Sequence, residues 1–236
     1  MAAMSWLQLV NRVRHEAGAS GADLTSLGGT LSTENTRIKE WVNEAWLDIQ
    51  RLHAQWQFML SDFSFTTTIG LGVYTAATLS TPITAFKNWK LDTFRAYNTA
   101  AGFPDEQLLP YLPFAAFRNM YLFGDMRTTQ TRPTFYSVDQ SKALRLGPLP
   151  DASYTVNGQY WRLPEGFTAD SDTPQGTAPA FTEDYHMLIV WKALESYGLF
   201  ESAQEVLTRA LREGTKVLSR LQIDQLPTMG YGATLA

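Results

Sequence analysis

A chain of 236 residues with 44% apolar and 18% charged residues has the composition of a globular protein. Its formal net charge of −4 argues against a general phosphate-binding surface, because nucleic-acid affinity rests mainly on lysine and arginine. The sequence contains no cysteine, which excludes disulfides, cysteine-ligated metals and thiol catalysis.

The first residues, MAAMSWLQLVNRVRHEAG, carry polar side chains at every second or third place and so lack the apolar centre of a signal peptide. No apolar run approaches the length of a membrane span of about 18 residues or more. The sequence therefore predicts a soluble protein made in the cytoplasm, without membrane contact.

A first short helix is predicted from Ser5 to Ala17, with Ser5 and Gln8 in a capping box and Gly18 as its stop. A Gly/Ser/Thr-rich loop follows it. The next helix, Thr33 to Trp56, carries its apolar residues at spacings of three and four, which places them on one face. These residues are Ile38, Trp41, Val42, Ala45, Trp46, Ile49, Leu52 and Trp56.

Three tryptophans on one helix face require a large partner surface, because each buries about 150–250 Å². The segment from Thr182 to Leu221 is the part of the chain with enough apolar helix to supply it. We therefore predict a bundle core that joins two distant segments. Its predicted members are Trp41, Trp46, Ile49, Trp56, Leu188 and Trp191.

Between these helical segments the period changes to two. Runs such as FSFTTT (Phe63 to Thr68) and SYTVNGQYWRL (Ser153 to Leu163) alternate in the manner of strands. Pro113 to Phe123 is predicted as one short helix. Residues 62–163 thus read as a β-rich insertion of about five strands and one helix, followed by a polar linker to 179.

The helix after Thr182 is apolar nearly all round from Met187 to Trp191 and is predicted to be central. Gly198 is interpreted as its bend or end. A last helix is predicted from Ala203 to Leu221, with Gly214 on its inner face, where a second backbone could approach closely.

The predicted fold class is α+β: mainly an α-helical bundle with a β-rich insertion and an extended C-terminal arm. Residues 1–61 and 180–221 would form the discontinuous bundle and 62–179 the insertion with its linker. Residues 222–236 would form the arm, a non-helical tail broken by Pro227, Gly230 and Gly232.

The arm is unusually apolar for a terminus, and a free tail of this kind would be a liability unless it docks on a partner. We therefore predict that it docks on a partner protein. The side chains proposed to dock are Ile223, Leu226, Pro227, Met229, Tyr231 and Leu235.

Signals of catalysis are weak throughout. His15, His53 and His186 show no zinc-hydrolase spacing, and no G-x-S-x-G nucleophile motif occurs. Asp170, Asp172 and Asp184 offer carboxylates for a cation, but calcium loops need more oxygen ligands at closer spacing. The sequence predicts no catalytic residue, no metal and no cofactor.

Four stretches resemble adaptor proteins of tailed bacteriophages, the connector or head-completion proteins between head and tail. They are SWLQLVNRVRHEAG, WVNEAWLDIQ with FSFTTTIG, YTVNGQYWRLPE, and DSDTP with FTEDYHMLIVWKALESYG. The resemblance runs from about Ser5 to Leu221 in the same order.

This resemblance implies a structural virion protein at the head–tail interface, made in the host cytoplasm and not an enzyme. It implies a dodecameric ring below the portal, with tail or nozzle proteins beneath it and DNA only passing through its channel. Two other readings stay open at this point: a tail-associated protein that binds the host or a carbohydrate, and a cytoplasmic enzyme whose site one sequence does not reveal.

Overall fold

The computed structural model describes residues 3–174 and 181–226. It is 41% helical and 20% strand. The chain divides into a helical unit, taken from residues 1–59 and 164–236, and a β unit, residues 60–163.

Five α-helices lie in the described residues. They are α1 (Trp6–Ala17), α2 (Thr33–Leu52), α3 (Phe114–Tyr121), α4 (His186–Phe200) and α5 (Gln204–Gln225). All but α3 belong to the helical unit.

Local sequence signals fix the first two helices. The Ser5 hydroxyl accepts a hydrogen bond from the Gln8 backbone N–H, and the Gln8 side chain returns the bond to the Ser5 N–H. Gly18 ends α1 in the left-handed region, at φ 74°, where glycine carries no steric penalty. Ser32 caps α2 through the Asn35 N–H.

Helix α4 is the centre of the helical unit, and α1, α2 and α5 all pack against it. Its residues Leu188 to Trp191 are buried in succession, which few surface helices allow. The nearly continuous apolar stretch in its sequence explains this position.

The glycine that permits the closest helix approach is Gly198, within α4. A Cβ placed there would lie 2.9 Å from the Leu207 Cβ and 3.0 Å from the Leu207 backbone nitrogen. At Gly214 a Cβ would meet the Trp191 Cβ at 3.4 Å, an ordinary contact. Gly198 thus sits inside the helix where α5 crosses closely, whereas the sequence assigned that role to Gly214.

These two glycines give a matched prediction. Gly198→Ala should lower the free energy of unfolding by up to about 2 kcal/mol, because overpacking against backbone costs about 1–3 kcal/mol and the gain in helix propensity offsets about 1 kcal/mol of it. Gly214→Ala should be neutral or stabilising by up to about 1 kcal/mol. Urea denaturation of both variants checks this, and equal midpoints would contradict it.

A buried histidine begins α4. His186 is 1% exposed, and its Nδ1 accepts a hydrogen bond of 3.0 Å from the Met4 backbone N–H. Burial lowers the pKa of His186 below its ordinary value of 6.5, and a hydrogen bond with the Phe181 backbone and the charge of Glu183 oppose that shift. At pH 7 the imidazole of the folded protein is therefore neutral.

The lowered pKa predicts a pH dependence of stability. Below pH 6.5 the unfolded chain takes up a proton at His186 that the folded chain does not, so stability should fall as the pH drops from 6.5 and level off below the folded pKa. The loss is at most about 1.4 kcal/mol for each pH unit of that window. Urea midpoints at pH 7.5, 6.5 and 5.5 measure it. The decrease in stability with falling pH should be smaller in His186→Gln. It should persist in the control His15→Gln, because the side chain replaced there is 54% exposed.

The β unit holds seven strands in two antiparallel sheets. The strands are β1 (Leu60–Thr66), β2 (Val73–Tyr74), β3 (Phe86–Asn98), β4 (Gln107–Leu108), β5 (Phe135–Val138), β6 (Leu144–Gly147) and β7 (Tyr154–Arg162). One sheet has the order β1-β7-β3-β4 and the other the order β2-β6-β5. Along β1, alternate residues are buried and exposed, as its period-two sequence predicts.

The β unit has a hydrophobic core of its own. Phe94 stacks on Tyr136 with ring centroids 4.1 Å apart, and Phe63 packs against Phe94 and Trp89. All four rings are buried within the unit.

The prediction of a mainly helical bundle with a β-rich insertion is therefore wrong. The protein is an α+β fold with five helices and two antiparallel sheets in the residues that the structure describes. The reason is the aromatic content of 60–163, which supplies enough buried surface for a separate core rather than an appendage of the helices.

Candidate docking surfaces

The residues predicted for the bundle core lie mostly inside the helical unit. Trp46, Ile49, Trp56, Leu188 and Trp191 are buried, whereas Trp41 is half-buried. Trp46 lies among three rings from outside α2: Phe58 at 6.0 Å, Phe167 at 6.1 Å and Phe181 at 5.0 Å. Its ring partners thus come from the segment after α2 and from the chain that leads into α4.

Sequence reasoning missed Phe167 and Phe181, which are both buried. They lie in stretches without a helical or strand period, so no pattern marked them as core. The available signal was their aromatic character inside an otherwise polar linker.

Trp41 contributes to a surface, here called the aromatic patch, made of Trp41, Tyr197, Phe200 and Arg37. The Trp41 ring lies 6.1 Å from that of Tyr197 and 5.7 Å from that of Phe200. The Arg37 guanidinium lies 4.3 Å from the centre of the Phe200 ring. Phe200 is nevertheless 52% exposed, and its neighbour Leu199 is 69% exposed. Large exposed apolar residues side by side are typical of protein contact sites.

The predicted docking arm is described only at its start. Helix α5 continues to Gln225, so the prediction that helix ends at Leu221 and a non-helical tail begins at Gln222 is wrong at that boundary. The added turn is held by burial: Gln225 is 1% exposed, and its side-chain oxygen accepts a bond from the Phe58 N–H. Gln222 also contacts the His53 ring at 2.9 Å.

Ile223 lies on that last turn with 82% of its surface exposed, and Leu226 follows as the cap residue. Pro227, Met229, Tyr231 and Leu235 lie outside the described residues. Of the proposed docking side chains, the structure therefore describes Ile223, which is strongly exposed, and Leu226.

The β unit carries a small apolar groove between β6 and α3. Its cavity volume is about 70 Å³, and Val73 and Met126 at its rim are each 38% exposed. Small-molecule sites usually measure about 300–1,000 Å³, so this groove is too small for a typical ligand.

Two of the three candidate cation ligands, Asp170 and Asp172, hold loops in place through hydrogen bonds. The Asp170 carboxylate accepts bonds from the Ser26 hydroxyl and the Leu27 N–H. The Asp172 carboxylate accepts bonds from the Ala169 and Thr168 N–H groups and the Thr168 hydroxyl, which lower the pKa of Asp172. Asp184 lies in the short 3₁₀ turn Glu183–Tyr185 before α4. Among the described residues, no group of three or more histidine, aspartate or glutamate side chains is arranged to hold a metal ion.

Each of the three histidine side chains has a hydrogen-bonding or ionic partner within the helical unit. His15 lies 2.6 Å from Asp23, His53 contacts Gln222, and His186 accepts the Met4 N–H. Each contact ties a helix to a nearby segment of the helical unit.

In residues 3–174 and 181–226, no helix has the length and apolar character needed to cross a membrane. Exposed apolar and aromatic side chains occur on both units, including Phe103 at 73% and Ile69 at 59% on the β unit. Where such side chains lie together, as in the aromatic patch, they offer area for a contact with another protein.

A family model described as SU10 adaptor protein matches residues 4–230, and the chain belongs to this family. The resemblance drawn from its sequence is thereby confirmed. The family consists of structural phage proteins and is not a known enzyme family, so the chain is a structural adaptor protein and a virion component. The chain matches none of the curated proteins with which it was compared.

Proposed function

We propose that this protein forms a dodecameric ring between the phage portal and the tail, where it extends the DNA channel and carries the tail components. The observation that carries the proposal is the family match over residues 4–230, which spans both units. Tail or nozzle proteins would bind below the ring and the portal above it.

Surface features support an assembly role. The helical unit presents the aromatic patch and Ile223. The β unit presents Phe103, Ile69 and Leu108, and each of these three side chains is more than half exposed. In a lone soluble chain such residues are a cost in solubility, whereas in an assembly they provide contact area.

The charge of the protein suits a conduit. The formal net charge is −4 for each copy, and a surface that lacks a cationic excess does not bind the DNA backbone strongly. DNA would therefore pass through the ring without being gripped by it.

The test uses phage heads produced without the gene for this protein. Purified protein added to these heads should bind below the portal as a ring that cryo-electron microscopy resolves, and it should restore tail attachment and infectivity. Heads that carry no portal serve as the control and should bind none. The proposal would be overturned if phage without the gene still formed normal virions. It would also be overturned if the protein bound heads with and without portal equally well.

A further inference from the structure

The exposed face of α5 carries a regular row of cations, here called the basic stripe: Arg212, Lys216 and Arg220. The Arg212 and Lys216 side chains are 69% and 58% exposed. With Thr208, Leu211, Thr215 and Ser219, the stripe lines a shallow depression along the helix. The opposite face of α5 packs on α4.

The exposed face of α2 carries a matching row of carboxylates, here called the acidic stripe: Glu40, Glu44 and Asp48. All three residues are exposed, and the Asp48 side chain is 69% exposed. The opposite face of α2 is buried in the helical unit.

The two stripes have the same spacing. Each repeats every fourth residue over two steps, so the charges lie about 6 Å apart along the axis and each stripe is about 12 Å long. A row at this spacing is inclined about 26° to its helix axis, so the opposite charges of two helices can pair in register when the axes cross at about 50°, with the chains running in either direction. The central pair, Glu44 with Lys216, meets in both directions.

Local ion pairs reduce the formal charge of each stripe, but both stripes stay charged. Glu213 accepts bonds from Arg212 and Lys216, so that group retains a formal +2. Arg51 lies 3.8 Å from Asp48, so the acidic group with Arg51 retains a formal −2. The two surfaces are therefore complementary in sign and in size.

The acidic and basic stripes do not pair with each other within one subunit. Both helices pack on α4, and α4 is buried nearly all round, so the outer faces of α2 and α5 point away from the helix they share. Both faces are therefore free to contact another molecule. A second copy of this chain carries both faces.

Apolar residues accompany both stripes and would supply the contact area. On α2, Trp41 of the aromatic patch lies next to Glu40 in sequence and one turn before Glu44. On α5, Leu211 is 48% exposed beside the basic stripe. Aromatic anchors surrounded by charged residues are typical of protein interfaces.

We propose that the outer face of α5 in one subunit packs on the outer face of α2 in the next. Two different faces that join identical copies form a heterologous contact, which closes into a ring when the rotation allows. This inference rests on the proposed ring and names the contact that builds it. Exposed ion pairs add little affinity, so the stripes set the register and direction of the contact while the apolar residues hold it.

A crosslinking test uses the absence of native cysteine. The full chain with Glu44→Cys and Lys216→Cys is assembled on portal-bearing heads and treated with a short bismaleimide. We expect a ladder of covalent multimers up to the closed ring on a denaturing gel. Each single-cysteine variant should give dimers at most at background level.

Charge reversal tests the same contact without a reagent. Arg212→Glu, Lys216→Glu and Arg220→Glu together make both faces acidic, and Glu40→Lys, Glu44→Lys and Asp48→Lys together make both basic. Each triple variant alone should place at least tenfold fewer copies on heads. An equimolar mixture should restore binding, because an acidic α5 then meets a basic α2 and the reverse. Arg118→Glu with Arg127→Glu, exposed in the β unit, is the matched control.

The outcomes separate the two proposals. If wild-type protein forms no ring on heads, the proposed function fails. If wild-type rings form, yet neither the ladder nor the loss and rescue is seen, the α2–α5 contact is overturned. Should a triple variant fail to fold by circular dichroism, Glu44→Gln and Lys216→Gln take its place, and the crosslinking result decides.

Discussion

Trp46→Ala should lower the free energy of unfolding by about 3–5 kcal/mol, the range observed when a buried aromatic side chain is removed and a cavity remains. Trp46 is 4% exposed, and its ring neighbours Phe58, Phe167 and Phe181 come from the segment after α2 and from the chain that leads into α4. The side chain thus joins parts of the helical unit that are far apart in sequence. Urea denaturation followed by far-ultraviolet circular dichroism measures the loss.

Two control variants sharpen this prediction. Trp46→Phe keeps an aromatic ring, so its free energy of unfolding should fall by less than that of Trp46→Ala. Leu52→Ala removes a side chain of the same helix that is 48% exposed, and it should change stability by about 0.5 kcal/mol or less. An unchanged midpoint for Trp46→Ala would contradict the packing described for the helical unit.

Truncation after Leu226 should leave the fold and melting temperature unchanged and abolish productive attachment to heads. The removed segment carries the remaining proposed docking residues, Pro227, Met229, Tyr231 and Leu235, and fully extended it would reach about 35 Å. We propose that it docks on the portal, with a neighbouring subunit as the second candidate. Copies of protein bound per head and infectivity measure the effect.

Truncation after Leu221 is the informative comparison. It removes the last turn of α5, including Gln225, whose side chain accepts the buried Phe58 N–H. An unsatisfied buried donor costs about 1–3 kcal/mol, so this shorter protein should be destabilised as well as inactive. Normal assembly after truncation at Leu226 would contradict the proposal that the segment after Leu226 docks on a partner. A loss of stability at Leu226 would place the arm in the core.

The helical part of the fold was accessible from the sequence because its signals are local and periodic. The apolar spacing of α2 indicated the buried face on which Trp46 and Ile49 lie, and the Ser5 capping box marked the start of α1. The uninterrupted apolar run of α4 indicated its central position. Each of these features depends on residues within a few turns of one another.

Features that depend on contacts between distant segments were not accessible. The core of the β unit depends on pairs such as Phe94 with Tyr136, which periodicity alone does not connect. For the same reason the sequence did not reveal that Gly198 rather than Gly214 lies at the closest backbone approach, since that depends on where Leu207 packs. The extra turn of α5 depends on a partner at Phe58.

The candidate surfaces were accessible only in part. The family resemblance came from sequence stretches, whereas the aromatic patch required the packing of α2 against the end of α4, where Trp41 meets Phe200. The matching of the acidic and basic stripes likewise required knowing that α2 and α5 share α4 and leave their outer faces uncovered.

The most direct test of the whole account is a cryo-electron microscopy reconstruction of the head–tail junction of the virion. We predict a closed ring of this protein directly below the portal, with its last residues in contact with the portal and its channel continuous with that of the portal. Density for this protein elsewhere in the particle, or as isolated copies without ring contacts, would contradict it.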